Sequence, residues 1–380
     1  MRVLLTTPTY PPFNSGLGNA VQQQARVLAR AGHHVVVATA GNSRLSEVDD
    51  ISGALVERFV VSGSEYLLKP LRGDIKGYKK FLESSQFDVI VLNAWQNWAT
   101  DIALNCFPNI SAKKFLYSHG LSTRLFFIRQ PLRSILRYLC WIPYHLSLRA
   151  KMDRLNGLIF LEEKGCDCRF DDLVIAHKSE KPFAVVPNLA NRASQPVLLG
   201  RHERRHLVAV GAYHWLKGHD FVLKVYASSS AKNVIPLHFY GQEFTPYVLS
   251  LKKLAATLGI NPDFVSFHEG VSGEALYQVY EQALVLINGS YTECQPLVLL
   301  DAMVAGTPYV AKASGGVPFL AGGVSAASEA EAVAGLNELL SDVALWQHLS
   351  TQGIARIKAR HSEQVFAHGL LQALELGDAA

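Results

Sequence analysis

Short apolar runs alternate with helical hydrophobic patterns from one end of the chain to the other, and this alternation constrains the fold more than any other feature. The runs at 3–6, 35–38, 55–60, 89–92, 114–118, 158–161 and 183–186 read as strands, and a second series follows at 207–210, 237–240, 265–267, 284–287 and 309–311. Strands separated by helices build βαβ units, whose parallel sheets are covered on both faces. The expected fold class is therefore α/β, with two Rossmann-like, doubly wound parallel-sheet domains facing across a cleft. Their expected extents are 1–190 and 197–360, with the polar stretch 191–196 between them. Helical patterns at 329–340, 343–359 and 362–374 close the chain without further strands.

A chain of 380 residues with 49% hydrophobic content can form two substantial cores. Its first six residues are too short an apolar run for a signal-peptide core, and no stretch of about 18 residues is apolar enough to span a bilayer. A cytoplasmic location is expected. Five cysteines, an odd number spread over a long chain, read as reduced thiols, and Cys166 and Cys168 lack the second ligand pair of a metal site. The formal charge of +4 is unevenly spread: between 113 and 154, nine Lys and Arg stand against one acid, Asp153, for a local +8.

Ligands of open α/β sheets sit beyond the carboxyl ends of the strands, so the strand-end loops carry the chemistry. In the most informative of them, a strand at 283–287 runs into a loop with Glu293, then into a helix opened by Pro296 and Leu297 and closed by Gly306, with Ser314-Gly315-Gly316 beyond the next strand. A helix N-terminus presents unpaired N–H groups and a positive dipole end to an anion, while Glu293 and Asp301 can accept from hydroxyls. Phosphate plus sugar suits these parts. The plainer alternative is a capping box of Thr292 and Gln295 on an ordinary helix, with two solvated acids.

Three other loops stand out. The stretch from Tyr10-Pro11-Pro12 to Gly16-Leu17-Gly18 brings glycines to a helix start, where backbone N–H groups can approach an oxyanion; the alternative is a plain helix cap. It lacks the third glycine of a dinucleotide fingerprint. His119-Gly120 at a strand end suits hydrogen bonding at a cleft, although a structural histidine would read the same way. Lys217-Gly218, after the strand ending at Val210, offers a cation for a phosphate or a solvated helix-start lysine.

Together these residues resemble retaining glycosyltransferases of family 4, which have the GT-B fold. The acidic signature of that family stands as Glu293, seven residues, Asp301-Ala302-Met303, then Gly306-Thr307-Pro308. Its Tyr-Pro-Pro loop is matched at 10–12, with Gly16-Leu17-Gly18 in place of Gly-Gly and with Gly32-His33-His34-Val35 after the helix. Its active-site His-Gly is matched by His119-Gly120, its diphosphate lysine by Lys217, and its Pro-Asn-Gly by Pro187-Asn188-Leu189. The sequence departs from the pattern at Ala212, where an Arg is expected and for which His214, Arg204 or Arg205 could substitute, and at Asp301 in place of Glu.

The resemblance implies transfer of a sugar from a nucleotide-sugar with retention. Catalytic roles then fall to His119 and Glu293. The donor would be held by Lys217, Gly218, Glu293, Pro296, Leu297 and Asp301, with Gly16, Leu17 and Gly18 at the acceptor and diphosphate loop. The C-terminal helix, 361–380, is expected to pack back on the first domain. No Asp-x-Asp occurs, and no metal or other cofactor is expected.

Arg129, Arg133 and Arg137 recur every four residues among Leu132, Ile135, Leu136, Leu139 and Trp141, with Pro131 suited to a helix start and Pro143 to its end. This basic amphipathic segment reads as lying on an anionic membrane surface, with a solvated face over ordinary core as the alternative. A lipid-linked saccharide acceptor in surface polysaccharide biosynthesis follows as an expectation, and nucleic acid is not expected as a partner. A nucleotide-sugar epimerase of the same fold and a non-catalytic sugar-nucleotide binding protein are the rival readings.

Overall fold

The computed structural model describes residues 1–13, 15–190 and 198–375, so Asn14 of the first loop and the stretch 191–196 read as a linker lie outside the described residues. The chain divides into two compact units, Met1–Asn188 with Glu363–Ala380, and Leu189–Ser362. The first boundary falls inside Pro187-Asn188-Leu189.

In the first unit, eight strands form one sheet: β1 (Arg2–Thr6), β2 (His34–Ala40), β3 (Leu45–Val48), β4 (Leu55–Phe59), β7 (Val89–Asn93), β8 (Lys113–Ser118), β9 (Gly157–Phe160) and β10 (Phe183–Val185). A separate two-stranded ribbon pairs β5 (Val61–Ser62) with β6 (Arg72–Gly73). The large sheet runs β10-β9-β8-β7-β1-β2-β4-β3 and is parallel except for β3 against β4. β3 escapes a period-based reading because its Leu-Ser-Glu-Val is mostly exposed, as suits an edge strand. The covering helices are α1 (Gly16–Arg30), α2 (Ile75–Ser84), α3 (Trp98–Cys106), α4 (Pro131–Asp153) and α5 (Asp171–Lys178).

The second unit carries a six-stranded, all-parallel sheet built from β11 (His206–Val210), β12 (Leu237–Gly241), β13 (Val265–Glu269), β14 (Ala283–Asn288), β15 (Tyr309–Lys312) and β16 (Gly323–Ala326). Its order is β13-β12-β11-β14-β15-β16. The helices are α6 (His219–Ala227), α7 (Pro246–Thr257), α8 (Gly273–Gln282), α9 (Leu297–Val304), α10 (Glu329–Ser341) and α11 (Val343–Arg360). Phe221, Val285 and Leu336 belong to the core on one face of the sheet, while Leu286, Leu300 and Met303 belong to that on the other. β16 is a short, half-buried Gly-Val-Ser-Ala that carries little apolar signal.

The last helix, α12 (Glu363–Glu375), belongs to the first unit. It packs on α1 and β10, and Glu363 pairs with Arg26 at 3.2 Å and also with Arg30.

In both sheets the chain winds outward in one direction, returns to the middle and winds the other way. The reversal falls between β1 and β7 in the first unit and between β11 and β14 in the second. Loops leaving the carboxyl ends of strands at such a switch point splay apart and open a crevice.

Candidate functional site

In the second unit, the loops leaving β11 and β14 are the ones that carry Lys217 and Glu293. Lys217 Nζ donates to Glu293 Oε1 at 2.7 Å. Tyr291 N–H donates to Leu216 O at 2.9 Å, and Gly218, with φ +61°, lies so close to Gly289 that an added Cβ would stand 1.8 Å from Gly289 O. The two loops are thus joined by an ion pair, a backbone hydrogen bond and a backbone contact that leaves no room for a side chain.

The β11 loop is fixed from below. The hydroxyl of the buried Tyr213 shares its one proton between Phe239 O at 3.0 Å and His268 O at 2.8 Å. His219 Nε2 lies 3.3 Å from Gly211 O and 3.2 Å from Ala212 O; both partners are acceptors, so this nitrogen carries the proton. Burial pushes its pKa down to about 4, which keeps the ring neutral.

On the β14 side, α9 begins at Leu297 with Pro296 as its N-cap and no side-chain cap hydrogen bond. The alternative capping box of Thr292 and Gln295 does not form, because the helix starts only at Leu297, too late for Thr292 to reach it. Ser290 Oγ, Thr292 Oγ1 and Ser314 Oγ are buried with no hydrogen-bond partner among the described residues. The loop after β15 braces this segment, as Gly316 N–H donates to Cys294 O at 2.8 Å and Gly315 packs against Glu293 O. Asp301, on α9, is half-buried, and its charge opposes ionisation of the buried Tyr280.

The substitutes suggested for the missing arginine at 212 are resolved by position. Arg204 precedes β11 and so lies at the amino end of the sheet, away from these loops. There its buried guanidinium donates to Ala283 O at 2.9 Å, Ala305 O at 2.8 Å and Thr307 Oγ1 at 2.5 Å, which makes it structural. Arg205 is exposed at the same end, and only His214 sits in the right loop, where Nδ1 accepts from Leu216 N–H at 3.3 Å. A cation that sequence reasoning missed is Lys312 at the carboxyl end of β15, 5.1 Å from the Phe221 ring and 5.3 Å from that of Tyr291. Its signal was a lone lysine ending an apolar run just before Ser-Gly-Gly.

In the first unit, Gly16 opens α1 after Ser15, whose Oγ accepts from Gly18 N–H at 2.9 Å. A Cβ at Gly16 would meet nothing within 4 Å, whereas one at Gly18 would crowd Thr9 O at 3.0 Å; Leu17 between them is half-buried. His119 follows β8, with Arg169 donating to its carbonyl at 2.7 Å. Burial, aided by the Arg169 charge, pushes His119 down to about 3, so it is a neutral hydrogen-bonding group. Sequence reasoning missed Asp172, a buried carboxyl raised by its burial to about 6. It accepts from Ser118 Oγ and, at 2.8 Å, from Trp95 Nε1, and thereby anchors the strand end that carries His119.

The basic segment forms α4, which runs from Pro131 through Pro143 to Asp153 rather than ending at Pro143. Trp141 and Tyr144 before and just after the proline, with Leu148 and Met152 beyond it, are all buried on one face, and their packing outweighs the one hydrogen bond that Pro143 cannot donate. The opposite face is an exposed stripe of Leu132, Leu136, Leu139, Pro143 and Leu146, at spacings of four and three. Arg129 and Arg133 are exposed beside it. Arg137 is turned inward and donates to Ser122 O. Among the described residues no helix is long and apolar enough to cross a membrane, and no group of three or more His, Cys, Asp or Glu could hold a metal ion.

Residues 191–354 match the family described as "Glycosyl transferases group 1", and residues 15–105 match the "Glycosyl transferase 4-like domain". The chain belongs to the group 1, family 4-like glycosyltransferases. Among curated proteins, a D-inositol 3-phosphate glycosyltransferase of Streptomyces griseus is 48% identical over 68 residues, 18% of this chain and 14% of that protein. One from Mycolicibacterium smegmatis is 34% identical over 126 residues, 33% of this chain and 29% of that protein. These matches therefore span less than a third of the relatives' length.

Among solved structures, sucrose-phosphate synthase of Thermosynechococcus elongatus superposes with a TM-score of 0.78 at 17% identity, covering 100% of both chains. WaaG, a glycosyltransferase involved in lipopolysaccharide biosynthesis, gives 0.68 at 17% identity over 100% of both chains. Anabaena HepE in complex with UDP gives 0.71 at 14% identity, over 99% of this chain and 100% of that one. At these identities the likeness establishes the fold, which is of GT-B type.

Proposed function

We propose that this glycosyltransferase moves a sugar, with retention, from a nucleoside-diphosphate donor to a saccharide acceptor carried on a lipid. The observation that carries the reading is the Lys217–Glu293 pair at the β11/β14 switch point, beside the N-terminus of α9. Lys217, Gly218 and the start of α9, where Pro296 caps the helix and Leu297 supplies the first N–H, suit the diphosphate, Glu293 suits the donor sugar hydroxyls, and Asp301, one methylene shorter than Glu, suits the ribose. Fixed dipoles and Lys217 stabilise the leaving diphosphate in this reading without a divalent ion.

On the first unit, Gly16, Leu17 and Gly18 serve the acceptor and diphosphate side. Neutral His119 hydrogen-bonds the reacting sugar. The UDP bound by the Anabaena protein makes a uridine nucleotide the first donor to test.

For the acceptor, the exposed apolar stripe of α4 flanked by Arg129 and Arg133 supports docking on an anionic membrane from the cytoplasmic side, in surface polysaccharide assembly. Calorimetric titration with nucleoside diphosphates and then nucleotide-sugars, followed by product analysis with and without lipid-linked acceptors, tests the whole reading. Conversion of donor without any acceptor would favour an epimerase. Saturable binding without turnover on any acceptor would leave a binding protein.

A further inference from the structure

The loop between β5 and β6 projects two adjacent leucines, Leu67 at 68% exposure and Leu68 at 54%. They are not a floppy tip. Within the loop Ser64 N–H donates to Lys69 O at 3.0 Å and Lys69 N–H to Tyr66 O at 2.9 Å. The neighbouring Tyr66 ring stacks on Trp141 of α4, with centroids 4.5 Å apart and planes 10° from parallel.

Two further ties join the loop to the same helix. Lys151 of α4 pairs with Glu65, and the buried Asp101 of α3 accepts both from Glu65 N–H and from the Tyr144 hydroxyl of α4, each at 2.9 Å. Loop and helix are therefore locked together. Beyond the leucines stand exposed Lys69 and Arg72, and beside the helix stripe stand Arg129 and Arg133.

We infer that Leu67 and Leu68, held against α4, form a second wedge for lipid docking, inserting into an anionic bilayer while Lys69 and Arg72 meet headgroup phosphates. The inference rests on the membrane reading of α4 given above. A bilayer is favoured over a second copy of the chain by charge: the exposed cations of this region are Lys69, Arg72, Arg129 and Arg133, so two such faces would bring like charges together. An anionic lipid surface satisfies both the leucines and the cations.

Co-sedimentation of the full chain with phosphatidylglycerol-containing vesicles, against pure phosphatidylcholine, tests this. Wild type is expected on the anionic vesicles only, and the doubly substituted Leu67→Asp, Leu68→Asp protein should lose roughly tenfold or more of its partitioning, with an unchanged melting temperature and unchanged nucleoside-diphosphate binding. A Leu132→Asp, Leu136→Asp protein should lose binding as well. If that protein is released while the Leu67, Leu68 variant partitions like wild type, the wedge is overturned and the helix reading stands. Wild type indifferent to anionic lipid overturns both. A stable dimer in sedimentation velocity that Leu132→Asp, Leu136→Asp dissociates would assign the surface to a second copy and overturn the inference as well.

Discussion

Lys217 and Glu293 meet at 2.7 Å although 76 residues separate them, one on the loop after β11 and the other on the loop after β14. Each holds the other's charge in place at the carboxyl edge of the sheet. In the proposed reaction a diphosphate competes for the lysine, which leaves the carboxylate to accept from sugar hydroxyls. The ion pair is thus a resting arrangement of two groups with separate tasks.

Lys217→Ala should weaken nucleoside-diphosphate binding about tenfold or more, the scale of one charge-assisted hydrogen bond. Glu293→Ala should leave diphosphate affinity unchanged or tighter, because it frees the lysine, while abolishing sugar transfer. Calorimetry with the diphosphate and with the nucleotide-sugar separates the two roles. Equal loss of diphosphate affinity in both variants would contradict the division of labour.

Gly218→Ala should disrupt the site from within. A Cβ there would stand 1.8 Å from Gly289 O, and φ is +61°, so both contact and backbone conformation oppose any side chain. A destabilisation of about 2 kcal/mol or more is expected, with loss of donor binding in whatever folds. A folded variant binding diphosphate as wild type does would show that the two loops need not approach so closely.

Arg204→Met should cost about 3 kcal/mol of stability, because Thr307 and several carbonyls lose a buried, charged donor. Denaturant melts report it. Diphosphate affinity of the folded fraction should be unchanged, since Arg204 lies at the amino end of the sheet; a specific loss of affinity would restore it as a substitute for the missing arginine.

The second unit should be the acid-sensitive one. Burial pushes His219 and His238 down to about 4 and lowers His206 and His268 as well, the latter three forming a cluster across β11, β12 and β13. Unfolded histidine titrates near ~6.5, so below that pH the unfolded chain takes up protons that the folded unit refuses, and stability falls as pH drops from about 6.5 toward 4. His119 acts the same way in the first unit. There Asp101, raised by burial to about 7, and Asp172, raised to about 6, oppose it, since their folded forms retain protons that the unfolded chain releases above about 3.9. Hydrogen exchange at pH 5 against pH 7 should show β11 to β13 opening before the first-unit sheet, and the reverse order would refute the assignment.

The alternation of apolar runs located twelve strands, because a parallel strand buried on both faces must be apolar along its length. β3, β16 and the β5–β6 ribbon were invisible to it: they are short or lie at an edge, and edges carry no such requirement. Pro143 was read as a helix end, the local preference of proline, whereas burial of Trp141, Tyr144, Leu148 and Met152 carries α4 through it.

Local chemistry, then, is what the sequence determined by itself: Glu293 beside a helix start, Lys217 beside a glycine, a histidine at a strand end, and a basic apolar segment. These signals lie within a few residues of one another and follow from backbone and side-chain preferences. Which distant groups meet was decided only in three dimensions. Arg204 and Lys312 are both cations beside strands, yet the strand direction sends one to the amino edge as a structural donor and the other to the carboxyl edge with the functional loops. Leu67 and Leu68 look like ordinary loop residues until Tyr66 stacks on Trp141 and fixes them beside α4. Such pairings depend on sheet order and long-range packing, and no local pattern encodes those.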